Sequence, residues 1–121
     1  MTLDDLRSWG ADTQTGLGRC MNNEAFYLRL VGKLIADPGF ERLDAALAAG
    51  DAEAIFQAAH ALKGSAGNLA LTPLYAPLSA LTELYRAGAA EAPDPAAEAR
   101  SIRSALASLK EIWSEELGVR S

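Results

Sequence analysis

The sequence predicts an all-α protein, an antiparallel four-helix bundle with a short N-terminal helix. Three observations carry this expectation. Apolar residues recur at helical spacing through most of the chain. No apolar–polar alternation bounded by turn residues reads as a strand. Four substantial helical segments are joined by short connections, which set successive helices side by side and reversed. Hydrophobic residues make up 50% of the 121, and many are alanine, the best helix former. A chain of this length buries roughly two-thirds of the surface its unfolded form exposes. Residues 1–121 therefore read as one domain that needs no disulfide or structural metal to fold.

The elements follow in order. Thr2 caps a short first helix, with Asp5 placed where a capping box needs an acid. "GADTQTGLGRC", with two glycines near its end, reads as a loop or a broken turn, so residues 1–20 form an N-terminal helix and loop. The bundle itself is expected over 22–117. Asn22 or Asn23 caps its first helix, whose apolar stripe holds Phe26, Leu30 and Leu34, flanked by Tyr27, Val31 and Ile35. "DPG" at 37–39 interrupts that helix, because proline disfavours helical backbone at the residue before it. Helix resumes with Leu43, Ala46 and Leu47 facing inward and stops at Gly50. Asp51 caps the central helix, which runs to about Leu71. Thr72 and Pro73 read as a cap and a first-turn proline, and Pro77 should distort the turn that follows. Residues 89–94 form a small-residue linker. Asp94 and Pro95 then start a last long helix with Ile102, Leu106, Leu109, Ile112 and Trp113 on one side. Trp9 and Trp113 are expected to pack at the bundle ends.

Charge and cysteine use exclude several functions. The formal net charge is −5, which opposes nucleic-acid binding through phosphates and attachment to an anionic membrane. The N-terminus "MTLDDLRSWG" is acidic and lacks the apolar core of a signal peptide. No apolar run is long enough to span a membrane. Cys20 is the single cysteine, so no internal disulfide forms, as fits a reducing compartment. The expected location is cytoplasmic. One histidine and one distant cysteine provide neither a metal site nor a nucleophilic triad. No Gly-rich loop follows a strand, so the chain has no ATP site of its own.

The chemistry concentrates in "AHALKGSAGNLAL", residues 59–71, which holds the only histidine, His60. A helix advances about 100° per residue. Ile55, Ala59, Leu62, Ala66 and Leu69 then fall on the core side, and His60 lies nearly opposite, facing water. Phe56, Gln57, Lys63, Gly64, Gly67 and Leu71 share its face. A lone histidine is ordinarily a surface residue without a role, but three details argue otherwise here. Gly64 stands one turn above the ring, where glycine weakens a helix by about 1 kcal/mol relative to alanine. Gly67 repeats that weakness on the same face. Lys63 stands beside the ring where a carboxylate would be needed to favour imidazolium. Bare backbone at Gly64 gives a partner clearance. An ammonium at Lys63 opposes the charged imidazolium and would stabilise a phosphoryl group on the ring. Phe56, Gln57, Gly67 and Leu71 form a candidate partner-binding border.

This stretch resembles the signature of the histidine phosphotransfer (HPt) domains: histidine, any residue, leucine, lysine, glycine, two small residues, then asparagine and an apolar residue. His60, Leu62, Lys63, Gly64, Ser65, Ala66, Asn68 and Leu69 match it in register. "NNEAFYLRLV" and "ALAAGDAEAIFQAAH" are similar to the segments that precede the family histidine, so the resemblance covers roughly Gly10 to Trp113. It implies a four-helix bundle with the histidine exposed in mid-helix. It also implies a phosphocarrier in a bacterial-type two-component phosphorelay rather than an enzyme. His60 would accept a phosphoryl group from the aspartyl phosphate of a response-regulator receiver domain and pass it to another receiver. Lys63 would offset phosphate charge and Gly64 would give clearance. Magnesium would sit on the receiver, with no cofactor on this chain, and a hybrid sensor histidine kinase would be a further partner. The chain departs from the family at Ala70, where the pattern usually has glycine. It departs again on the next helix, where Thr82, with Glu83 beside it, stands in place of the glutamine or acid that hydrogen-bonds the imidazole in many members; Thr82 or Glu83 would then orient the imidazole, a threonine more weakly. The alternative is a non-phosphorylated helical adaptor that binds receiver or kinase domains; that reading calls for an imidazole that is buried or paired with a carboxylate. A bundle that buries its own core favours a monomer, and the initial methionine favours a stand-alone carrier over a piece of a larger kinase.

Overall fold

Short polar side chains set where the helices begin. The computed structural model describes residues 1–86 and 93–120, so most of the expected 89–94 linker lies outside the described residues. In α1 (Leu3–Trp9) the Thr2 hydroxyl and the Asp5 carboxylate cap each other's backbone N–H in a capping box. Asn23 caps α3 (Glu24–Ile35) by accepting from the Phe26 N–H at 3.0 Å. α4 (Gly39–Ala49) resumes after the Asp37–Pro38 break. Asp51 caps α5 (Ala52–Asn68) through the Ala54 N–H at 3.2 Å. Asp94 accepts from the Ala96 N–H at the start of α7 (Ala96–Arg120). α6 (Thr72–Leu84) begins one residue earlier than the sequence suggests, with Leu71 at the cap and no side-chain cap bond. It runs continuously across Pro77, which lacks the N–H that would reach the Pro73 carbonyl. Among the described residues there is no strand.

One expectation fails here. Residues 10–20, read as a loop or a broken turn, contain a further helix, α2 (Thr13–Arg19). The Asp12 carboxylate caps it, accepting from the Thr15 N–H at 3.2 Å and the Thr15 hydroxyl at 2.7 Å. These bonds hold the Asp12 carboxyl below its usual range. Gly16 and Gly18 are poor helix formers. Gly16, however, is buried where α2 lies on the ring of Tyr27, and packing outweighs propensity.

Helix ends decide how the site is framed. After α4, Gly50 takes the left-handed conformation (φ 65°), its N–H reaches the Leu47 carbonyl and the Asp51 N–H reaches that of Ala46. α5 ends with the same pair of bonds, Ala70 N–H to Gly67 and Leu71 N–H to Ala66, and with φ 55° at Ala70. This is a Schellman turn built on a residue that has a Cβ. The Ala70→Gly variant is expected to gain about 0.5–1 kcal/mol, because left-handed backbone strains every residue but glycine. A denaturant melt checks it; a lower midpoint would mean that the Ala70 methyl contributes more through packing than its backbone loses.

The core joins α5 to its neighbours. Ile55, Ala59, Leu62 and Ala66 are buried against Leu74, Leu78 and Leu81 of α6. α5 packs chiefly on α4 and α6, and α6 on α7. Trp9 fastens α1 to α7 by donating to the Ala105 carbonyl at 3.1 Å, and the Trp113 ring lies on Gly32 of α3. Cys20 is buried. No helix among the described residues is long and apolar enough to cross a membrane.

Candidate functional site

The α5 periodicity places its apolar stripe inward and leaves His60 exposed on the opposite side. The Phe56 ring, one turn earlier and half-buried, stacks on the imidazole with centroids 5.6 Å apart and planes 5° apart. That is the offset parallel arrangement aromatic rings favour, and it fixes the plane of the imidazole. Among the described residues His60 has no hydrogen-bond or ion-pair partner, so its nitrogens face solvent.

Gly64 is exposed, and a Cβ built there would meet nothing within 4 Å. Among the described residues nothing would meet a side chain at this glycine, which leaves open surface one turn from His60. Gly64→Ala should therefore raise stability by about 1 kcal/mol, while a long side chain such as Gly64→Leu should slow any reaction at His60 by tenfold or more with the fold intact. Melting curves and labelling rates read the two effects separately; a Leu variant that unfolds would show that glycine serves helix packing here instead of clearance. Lys63 is half-buried. With Gly64, Gly67 and Tyr75, and with Thr15 and Arg19 from α2, it lines a cleft of about 580 Å³.

A comparison with protein families matches the Hpt domain model to residues 36–112, from the end of α3 into α7. The chain belongs to the Hpt domain family. No curated protein and no solved structure matches it. Family membership ties the chain to phosphotransfer in two-component signalling.

The remaining expected positions distribute unevenly in this Hpt domain. Gln57 is exposed and donates to the Glu53 carboxylate one turn back at 3.0 Å. Gly67 is half-buried, and its missing side chain serves α6: a Cβ would stand 2.9 Å from Cδ1 and Cε1 of Tyr75. Leu71 is not on the His60 face. The helix stops at Asn68, the left-handed turn at Ala70 follows, and Leu71 enters the core with no exposed surface. Thr82 does not orient the imidazole either. It is buried, and its hydroxyl donates to the Leu78 carbonyl of its own helix at 2.8 Å. Glu83 is exposed and takes both nitrogens of an Arg86 fork, at 2.6 and 3.0 Å. Arg86 holds its carboxyl below the usual range, with a smaller contribution from Lys63. Phe56, expected as a partner contact, is the residue that touches the ring; its i,i+4 spacing from His60 was the available signal.

Sequence reasoning missed how the end of α5 is held. The Arg19 guanidinium donates to the Gly67 and Asn68 carbonyls. The buried Tyr27 hydroxyl donates to Leu69 at 2.7 Å, and the Asp12 N–H donates to Ala70 at 3.0 Å. The carbonyls of Gly67, Asn68, Leu69 and Ala70, at and just past the end of α5, thus find donors in residues 12–27. A cation at a helix C-terminus is also favoured by the helix dipole. No periodicity or motif encodes contacts between segments about 50 residues apart.

Proposed function

We propose that this Hpt domain is a phosphocarrier in a bacterial-type two-component phosphorelay, with His60 as the acceptor. The single observation that carries the reading is the exposed imidazole, stacked on Phe56 and without a carboxylate partner among the described residues, with open surface at Gly64. An unprotonated ring nitrogen attacks the phosphorus of a receiver's aspartyl phosphate. The N–P bond forms as the P–O bond to the carboxylate breaks. The carboxylate leaves with the bonding pair, and the other ring nitrogen keeps its proton. The reverse step on a second receiver returns the imidazole. Lys63 offsets the charge of the transferring group. Magnesium and the remaining catalytic groups belong to the receiver in this reading, so the chain carries no cofactor and no ATP site. Its partners are receiver domains and a hybrid sensor histidine kinase. It acts as a cytoplasmic monomer.

The same reading treats residues 1–121 as one domain. The interrupted pair α3 and α4 forms the first arm of an antiparallel four-helix bundle over 22–117, followed by α5, α6 and α7, with α1 and α2 attached. Two-residue and three-residue links, at 50–51 and 69–71, support the reversal of α5 against its neighbours. So does the Tyr75 ring on Gly67, close to the turn.

The test is transfer from a panel of phosphorylated receiver domains with magnesium, followed by peptide mapping. Acid-labile, base-stable label on the peptide containing His60 is the expected result. Binding without label would leave a helical adaptor, and label on another residue would remove His60 from the role.

A further inference from the structure

Tyr75 is one of two large hydrophobic residues exposed among those described, with 39% of its surface open, although its neighbours Leu74 and Leu78 are fully buried. Its ring rests on the bare backbone of Gly67, in the cleft that Lys63 and Gly64 also line. Gly67 lies seven residues after His60, and at 1.5 Å per residue it is about 10 Å along the axis on nearly the same face. A standard protein interface covers about 800 Å² per partner, a disc of roughly 16 Å radius. A footprint of that size centred on His60 takes in Gly67 and the Tyr75 ring seated on it. An exposed tyrosine seated on rigid backbone loses little entropy on docking, and tyrosine is enriched where binding energy concentrates.

The geometry points to Tyr75 as an aromatic anchor for the receiver domain that exchanges phosphoryl groups with His60. The Gly67 seat presets its ring, and the cleft is lined by the charged residues Lys63, Arg19 and Asp12. This rests on the phosphocarrier reading and adds a named specificity contact to it. It also gives Gly67 a role in partner recognition that is indirect, through the ring it supports. Tyr75 is a binding contact, with no part in bond making, so its effect belongs in affinity rather than in the rate at saturation.

The experiment measures transfer from one phosphorylated receiver to wild type, Tyr75→Ala and Tyr75→Phe across receiver concentration. Receiver binding is titrated in parallel on the His60→Gln background. Tyr75→Ala is expected to raise the half-saturating concentration and the dissociation constant by roughly tenfold or more. Its saturating rate should stay within about twofold of wild type, and Tyr75→Phe should behave as wild type in both assays because the ring is kept. Circular dichroism verifies that each variant is folded. Unchanged affinity in a folded Tyr75→Ala protein overturns the inference, and so does a loss confined to the saturating rate. If wild type takes no label but Tyr75→Ala still weakens binding, the anchor stands and the phosphocarrier reading falls. If no receiver binds wild type, both fall.

Discussion

His60→Gln is expected to take up no phosphoryl label from any receiver and to melt within a few degrees of wild type. Glutamine supplies a neutral polar side chain of similar reach, but its amide nitrogen is a donor with no free lone pair. The N–P bond therefore cannot form, and the expected loss is complete rather than partial. Stability should hardly move, because the imidazole is exposed and has no hydrogen-bond or ion-pair partner among the described residues. The substitution removes the stacking of the ring on Phe56, and such ring pairs contribute about 0.5–1.5 kcal/mol beyond their area when well formed. Glutamine's better helix propensity offsets part of it. Labelling and a thermal melt on the same preparation check the two halves. Residual label would mean a second acceptor, and a collapse of the melting temperature would mean that His60 is structural.

The largest effect on stability is expected at Gly16→Val. A Cβ at Gly16 would stand 2.5–2.6 Å from Cζ, Oη and Cε1 of Tyr27, well inside van der Waals contact. The ring has little room to retreat. Tyr27 has no exposed surface, its hydroxyl is bonded to the Leu69 carbonyl, and burial pushes its pKa up to about 12. Either α2 lifts from α3, or the ring shifts and leaves a buried phenol without its partner. Overpacking costs about 1–3 kcal/mol, and an unsatisfied buried group about as much. The gain in helix propensity over glycine offsets well under 1 kcal/mol. A net loss of about 2–4 kcal/mol corresponds to a fall of roughly 10 °C in Tm for a chain of this size. Repeating the substitution on Tyr27→Phe isolates the clash with the ring carbons, since that background has lost both the hydrogen bond and the Oη contact but keeps Cζ and Cε1 in place. An unchanged Tm would mean that α2 and the Tyr27 ring can move apart at no net cost.

What the sequence made legible follows from how local each signal is. The caps at Thr2, Asn23 and Asp51 were readable because each acts on a backbone N–H three residues away. The exposed position of His60 was readable because four buried α5 residues repeat at helical spacing. Leu71 was misplaced because the wheel was carried past Asn68, through a left-handed residue where helical angles no longer apply. Thr82 was misassigned because alignment gives its position but not the carbonyl its hydroxyl chooses. α2 was hidden because its glycines argue against helix, while the aromatic ring that rewards Gly16 comes from a different segment.

The family match begins at residue 36, yet the carbonyls that close the histidine helix are held by Arg19, Tyr27 and the backbone at Asp12. The matched stretch is therefore shorter than the set of segments that hold the end of α5 in place. A fragment trimmed to residues 36–112 would keep His60 and lose the splint on the helix that presents it.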